Sequence, residues 1–269
     1  MPEGHTVHRT ANSFEKSFVG SALEIDSPQG RFSAGAQSLS GRVLMESYAI
    51  GKQLFLRFDN DQTIRIHLGI FGKWRWYKGA TAARVLAEPV IGEVRARFFT
   101  DQAMADLRGP TICEVLHPEQ VEAVRLRLGP DPLNPDPNKE EFQRFAKRVA
   151  RSKTAIGLLL MDQSVVSGIG NVYRAEILFR AALDPYKPGN QLKPKQIESI
   201  WQDSVELLAI GVKTGFMITR NEFFEAKPNR SERNYVYKRE GQPCRVCGQK
   251  ISIAIAASRK LYWCPKCQK

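Results

Sequence analysis

Cys244, Cys247, Cys264 and Cys267 form two CxxC pairs, 16 residues apart, within the last 26 residues of the chain. That spacing suits a tetrathiolate zinc site, because each CxxC turn presents two sulfurs to one ion and the intervening segment returns the chain to close the tetrahedron. A redox-active dithiol pair is the other chemistry such cysteines could support. Four thiolates fill the coordination sphere, so one Zn²⁺ per chain would be structural and could not activate water. Between the pairs, Ile251, Ile253 and Ile255 alternate outward and Leu261 and Trp263 alternate back, which predicts a hairpin whose tip, Ala256 to Lys260, carries Arg259. So small a hairpin buries little, and the metal is expected to supply its folding energy and to aim Arg259 at an anion.

Two further stretches could do chemistry. In SGIGNVYRAEILF, Gly168 and Gly170 allow a tight turn, and Asn171 is expected to cap a helix starting at Val172. Free N–H groups at such a terminus suit a phosphate, although a plain structural turn explains the same residues. The chain opens Met1-Pro2-Glu3-Gly4. With a small second residue the initiator Met is expected to be removed, leaving Pro2 as a secondary amine. Such an amine can condense with an aldehyde-level carbon to give an iminium, with Glu3 moving protons, but an ordinary start before a helix reads the same way.

These groups need a scaffold. At 269 residues the chain is long enough for two modest domains, and 42% hydrophobic content argues against disorder. It has no apolar run of 18 residues to span a membrane and no apolar segment like a signal peptide at its start. Cys113 is left unpaired once zinc takes four cysteines, so a reducing, cytoplasmic setting is expected. Residues 1–138 carry 16 basic and 16 acidic side chains, so the formal charge of +12 comes from residues 139–269, with 24 basic and 12 acidic. A polyanion held by the C-terminal half follows from that asymmetry.

The proline-rich stretch LGPDPLNPDPNKEEF divides the chain, and residues 130–138 are expected as an interdomain linker between residues 1–129 and 139–238, with the zinc finger at 239–269. Before it, Val7, Ala11, Phe14 and Phe18 predict a helix ended by Gly20. Leu54, Leu56 and Phe58, then Ile64, Ile66 and Leu68, predict a hairpin, and a further strand pair is expected between about Val90 and Val115, together implying a β-sandwich. After it, helices are expected around Phe142 to Val149, over Ala155 to Met161, over Val172 to Leu183, and from Ile197 to a stop at Gly211. Thr214 to Arg239 reads as a long mobile loop.

The motifs MPEG, GKQLFLRF, IHLGIFGKW, LGPDPL, MDQSVVSGIGNVYRAEILF, VYKREGQPCRVCG and SRKLYWCPKCQ run nearly end to end. In them the chain resembles the formamidopyrimidine-DNA glycosylase and endonuclease VIII family. The resemblance implies an α+β protein: an N-terminal β-sandwich with flanking helices, then a helix-two-turn-helix domain with a C-terminal zinc-finger hairpin, and damaged DNA between the domains. It implies that Pro2 attacks C1′ of the damaged nucleoside and that Glu3 shuttles protons. Lys52 matches the active-site lysine, Asn171 and Arg259 match phosphate clamps, and Ile70 matches an apolar wedge inserted where a base has flipped out. Thr6 stands where much of the family has a second Glu. The family's Arg-Phe-Gly segment is missing, with Arg108 the nearest arginine. These departures resemble the endonuclease VIII branch, which excises oxidised pyrimidines. The implied activity is a monomeric, bifunctional DNA glycosylase/AP lyase of base-excision repair in the bacterial cytoplasm, with no nucleotide cofactor. A purine-lesion glycosylase of the same fold and a non-catalytic damaged-DNA-binding protein are the alternatives.

Overall fold

Val7, Ala11, Phe14 and Phe18 recur at helical spacing, and the first helix, α1 (Gly4–Phe18), buries all four. The computed structural model describes residues 2–269 and separates into two compact units: residues 6–126 with Pro2, and residues 127–269 with Glu3, Gly4 and His5.

In the first unit, β1 (Ala22–Asp26), β2 (Arg42–Ile50), β3 (Gln53–Phe58), β4 (Thr63–His67), β5 (Lys73–Lys78), β6 (Ala96–Phe99), β7 (Ala103–Arg108) and β8 (Ile112–Leu116) form one antiparallel sheet ordered β5-β7-β6-β1-β2-β3-β4-β8. β1 is its corner. Ala22 and Leu23 pair with β2, whereas Glu24, Ile25 and Asp26 pair with β6, so one strand joins β5-β7-β6 on one side to β2-β3-β4-β8 on the other. Leu54, Leu56, Ile64 and Ile66 from one half share a core with Phe98, Ala105 and Leu107 from the other. This is the expected sandwich. Phe14 packs its ring 5.0–5.6 Å from those of Trp74, Trp76, Phe18 and Phe98, pinning α1 to the core.

The sequence pattern missed β1, β2 and β5, and the region expected to hold one further strand pair holds three strands. β1 alternates, with Leu23 and Ile25 buried between exposed Ala22, Glu24 and Asp26, but over five residues only, and β2 shifts register between Leu44 and Glu46, which breaks its period. Helices α2 (Ser33–Leu39), α3 (Gly79–Ala87) and α4 (Pro118–Arg127) were also missed. With Val121 of α4 and Leu116, the fully buried Phe55 makes a second small core on the other face of β3. In β7, Asp106 has no exposed surface. Its carboxylate accepts from Nε and Nη2 of Arg97 at 2.8 and 3.2 Å and from Nη2 of Arg108 at 3.2 Å.

In the second unit the helices are α5 (Glu140–Arg151), α6 (Ile156–Leu159), α7 (Asn171–Arg180) and α8 (Pro194–Thr214). Residues 130–138 are part of this unit: the Ser167 N–H donates to the Pro130 carbonyl at 2.8 Å, Leu133 packs against the helical core, and Asp136 caps α5 by accepting from the N–H groups of Glu141 and Phe142. Gly211 does not stop the last helix. It lies inside α8, where a Cβ would meet the Tyr173 hydroxyl at 2.4 Å, and the helix ends instead at Gly215, with φ of 79°. Residues 214–239 contain little regular structure but are fastened at both ends, with Ile218 and Val236 fully buried. The hairpin is β9 (Ser252–Ala256) and β10 (Arg259–Trp263). Ile253 and Ile255 are exposed as expected, whereas Ile251 precedes the strand and is buried. The finger does not rely on metal alone, since Ile251 and Tyr262 share a core with Ala175 and Phe179 of α7.

Replacing Asp106 with Ala leaves two arginines facing a buried, uncompensated site. Chemical denaturation should show a loss of about 3–5 kcal/mol, the usual cost of removing one partner of a buried ion pair.

Candidate functional site

The N-terminus of α7 is the centre of the site. Gly170, not Asn171, is the N-cap, and no side chain of the local sequence caps the helix. The cap comes from Glu3. Its fully buried carboxylate accepts from the N–H groups of Gly170 and Val172, both at 2.9 Å, and more weakly from Tyr173 at 3.4 Å. The N–H groups expected to await a phosphate are therefore taken by a carboxylate, which has the charge the helix dipole favours. Gly170 is needed there because a Cβ would lie 2.5 Å from the Glu3 carboxyl carbon. The Gly4 N–H donates to the Gly168 carbonyl at 2.8 Å and holds the same segment by its backbone. Burial, then the Glu3 charge, pushes the Tyr173 hydroxyl well above its ordinary range.

Asn171 is the first helical residue and is nearly buried. Its Nδ2 donates to the Lys260 carbonyl at 2.9 Å, and its Oδ1 accepts from Arg174. The amide thus joins the start of α7 to the zinc hairpin. Arg174, which sequence reasoning missed, is fully buried and also donates to the Lys260 carbonyl at 3.2 Å. Burial lowers its pKa to about 10, the Glu3 carboxylate opposes that shift, and the Arg259 charge adds to it. Arg259 begins β10, just past a two-residue turn in which Ala257 and Ser258 both have positive φ, 48° and 60°. Its half-buried side chain makes no ion pair or hydrogen bond among the described residues.

Glu176 was missed as well. Fully buried, it accepts from the Thr219 hydroxyl at 2.5 Å and from the N–H groups of Tyr235, Val236 and Tyr237 at 2.7–2.8 Å, fastening the long segment expected to be mobile. That segment helps line a 510 Å³ cavity bearing Arg230, Arg233, Lys238 and Arg239. The sequence signal for Arg174 and Glu176 was their position in an otherwise apolar helix, every residue of which from Asn171 to Phe179 is buried. Charges in such a place must be paired.

Pro2, Lys52 and Ile70 belong to the first unit. Pro2 and Lys52 are half-buried, and Lys52 lies on the turn between β2 and β3. Ile70 and Phe71 are 46% and 84% exposed, on a loop tightened by a 2.9 Å bond from the Gly72 N–H to the Leu68 carbonyl. Neither is a core residue. Arg108 is committed to Asp106 and to the Ile91 carbonyl, 2.7 Å away.

The sulfurs of Cys244, Cys247, Cys264 and Cys267 all lie within 4.8 Å of one another, with Cys247 and Cys264 at 3.5 Å and Cys244 and Cys267 at 3.9 Å. Tetrahedral zinc with Zn–S bonds of about 2.3 Å requires sulfurs about 3.8 Å apart, so the set fits one ion. The Gln249 N–H lowers the Cys247 thiol to about 7, and burial raises those of Cys264 and Cys267; zinc would hold all four as thiolates.

Comparison with known proteins agrees with this architecture. Residues 1–113 match the formamidopyrimidine-DNA glycosylase N-terminal domain, residues 128–222 the formamidopyrimidine-DNA glycosylase H2TH domain, and residues 241–269 the zinc finger found in FPG and IleRS. Endonuclease 8 1 of Mycobacterium tuberculosis is 41% identical over the full length of both chains. Endonuclease 8 of Escherichia coli is 29% identical over the same span. A Lactococcus lactis Fpg structure, solved with abasic-site DNA, shares the fold with a TM-score of 0.79 at 23% identity, covering 99% of each chain. Fold, finger and matches together define a zinc-finger DNA glycosylase of base-excision repair with AP lyase activity. The chain belongs to the formamidopyrimidine-DNA glycosylase and endonuclease VIII family.

Two outcomes follow. Gly170→Ala displaces Glu3 and should cost on the order of 1–2 kcal/mol of stability, the worth of a helix cap, with little further loss when Glu3→Ala is added; denaturation of the single and double variants measures both. Zinc content should be one ion per chain, and chelation should lower the melting temperature of the second unit while the first unit, with its own core, keeps its β-sheet circular dichroism.

Proposed function

We propose that the chain excises oxidised bases, of the pyrimidine class, from DNA through Pro2 and then cuts the strand. The supporting observation is the fixed Glu3 carboxylate, one residue after Pro2. Once Met1 is removed, the Pro2 nitrogen attacks C1′ with its lone pair. The N-glycosidic bond breaks, its electrons leave with the base, and the base takes up a proton. Opening of the sugar ring gives an iminium between Pro2 and C1′. Its positive charge acidifies the C2′ protons; loss of one expels the 3′ phosphate, and a second elimination expels the 5′ phosphate. Glu3 serves as the nearby proton carrier. The amides that bind it hold its carboxylate one residue from Pro2.

In this reading Lys52 and Arg259 meet backbone phosphates, an assignment favoured for Arg259 by its lack of an internal partner. Asn171, whose amide is engaged with Lys260 and Arg174, fixes the hairpin that carries Arg259. Ile70, with Phe71 beside it, fills the space left by the extruded base. The pyrimidine assignment draws on the missing Arg-Phe-Gly segment and on Arg108, which is committed inside the protein.

Borohydride should trap the processed protein on abasic-site DNA, and mass spectrometry should place the adduct on Pro2. Pro2→Gly retains an amine and some trapping, while a retained Met or an acetyl group should abolish it. Normal trapping by the blocked protein would sink the mechanism. Faster excision of 8-oxoguanine than of thymine glycol from matched duplexes would reverse the substrate assignment.

A further inference from the structure

A cavity of 620 Å³ on the second unit is lined by none of the residues assigned above to zinc, to Pro2 chemistry or to phosphate. One wall is the outer face of α8. There Trp201, Val205 and Ala209 recur every four residues as an apolar stripe, and Glu198, Gln202 and Glu206 recur likewise as a polar stripe beside it. The other wall is Pro132, Leu133 and Pro135 of the proline-rich stretch with Phe142 of α5, whose ring centre is 6.3 Å from that of Trp201. From Glu198 to Ala209 the groove follows α8 for about three turns, roughly 16 Å. Val205, in the middle of the apolar stripe, is 37% exposed.

Charge sets this groove apart from its half of the chain. Residues 139–269 carry 24 basic and 12 acidic side chains. The lining nevertheless has three carboxylates, Asp136, Glu198 and Glu206, against the one ammonium of Lys139. Glu206 accepts from Arg180 at 3.1 Å, but Asp203 already holds that guanidinium through bonds of 2.7 and 2.8 Å, and Glu206 stays half-exposed. The Glu198 carboxylate accepts from the neutral Gln202 amide at 3.4 Å, so its charge is not offset there. Negative charge beside an exposed apolar stripe repels nucleic acid and suits a cationic, apolar partner.

We propose that the groove docks a basic amphipathic helix of a partner protein. Apolar side chains at i, i+4 and i+7 of that helix pack on Trp201, Val205 and Phe142, and Lys or Arg residues flanking them meet Glu198 and Glu206. The groove is as long as three to four turns of such a helix. Its sign is opposite to that of the surface that suits DNA.

The probe is a display library of helix-forming peptides about four turns long, selected on the full-length, zinc-loaded protein. Selected peptides are then titrated by fluorescence anisotropy against the parent, Val205→Arg and Glu198→Lys, two outward-facing changes that touch no residue assigned to catalysis, zinc or phosphate. Selection should return apolar residues at helical spacing flanked by Lys and Arg, whereas a chain of net charge +12 would otherwise return acidic peptides. Binding should weaken at least about tenfold in Val205→Arg and about threefold in Glu198→Lys, with melting curves and base excision unchanged. The proposal is overturned if selection yields only acidic or unpatterned peptides, or if the folded variants bind the selected peptides like the parent. It is equally overturned if the parent sediments as a dimer that Val205→Arg dissociates, since the occupant would then be a second copy of the chain.

Discussion

A buried carboxylate and a buried helix terminus each pose a problem that the other solves. The Glu3 side chain has no access to water, and an uncompensated charge there would cost several kcal/mol. The first residues of α7 are equally buried, so their N–H groups cannot turn to solvent. Placing the carboxylate on those N–H groups satisfies both, and the absence of a side chain at Gly170 makes room for it. The third residue of the chain is thereby held by backbone N–H groups of α7. In the proposed chemistry this matters because Pro2 is one peptide bond away.

α7 distributes the same economy to the rest of its unit. Its apolar residues are buried on every side, so a polar group on it must find a partner within the protein. Arg174 and Asn171 find the Lys260 carbonyl in the hairpin, and Glu176 finds three consecutive backbone N–H groups and a hydroxyl in the segment after α8. One short helix therefore fastens the N-terminal residues, the hairpin, and the segment that leads into the finger. The finger's apolar core includes side chains of α7, so zinc reinforces a docked element.

Signals that depend on residue type and spacing were legible in the sequence: the CxxC pairs, the α1 stripe, the hairpin of β3 and β4, and the end-to-end motifs. Signals that depend on what a side chain meets after folding were not. Asn171 has the chemistry of a cap, but the cap arrived from position 3, far away in sequence. Gly211 looked like a helix stop, yet its small size serves the close approach of Tyr173 to α8. The burial of Asp106 had no signal in the local sequence, because it depends on Arg97 from the neighbouring strand and on Arg108. The segment after α8 lacked periodicity because its order comes from scattered side-chain bonds, those to Glu176 of α7 and of Arg180 and Arg220 to its carbonyls among them, not from a repeating ladder.

The remaining asymmetry lies in the positive charges. Asp106 and Glu3 each meet groups that compensate them, whereas Arg259 meets a neighbour of its own sign in Arg174. Ala257 and Ser258, which turn the chain toward Arg259, sit in a left-handed conformation that costs non-glycine residues on the order of 1 kcal/mol or more each. Hydrogen bonds to the Lys260 carbonyl and the zinc-clamped strands hold the hairpin in place against both terms. An anion beside Arg259 would relieve the repulsion without requiring the hairpin to move. The free protein thus carries in advance an electrostatic cost that phosphate binding would remove, so the same residues that oppose folding of the hairpin favour its occupation.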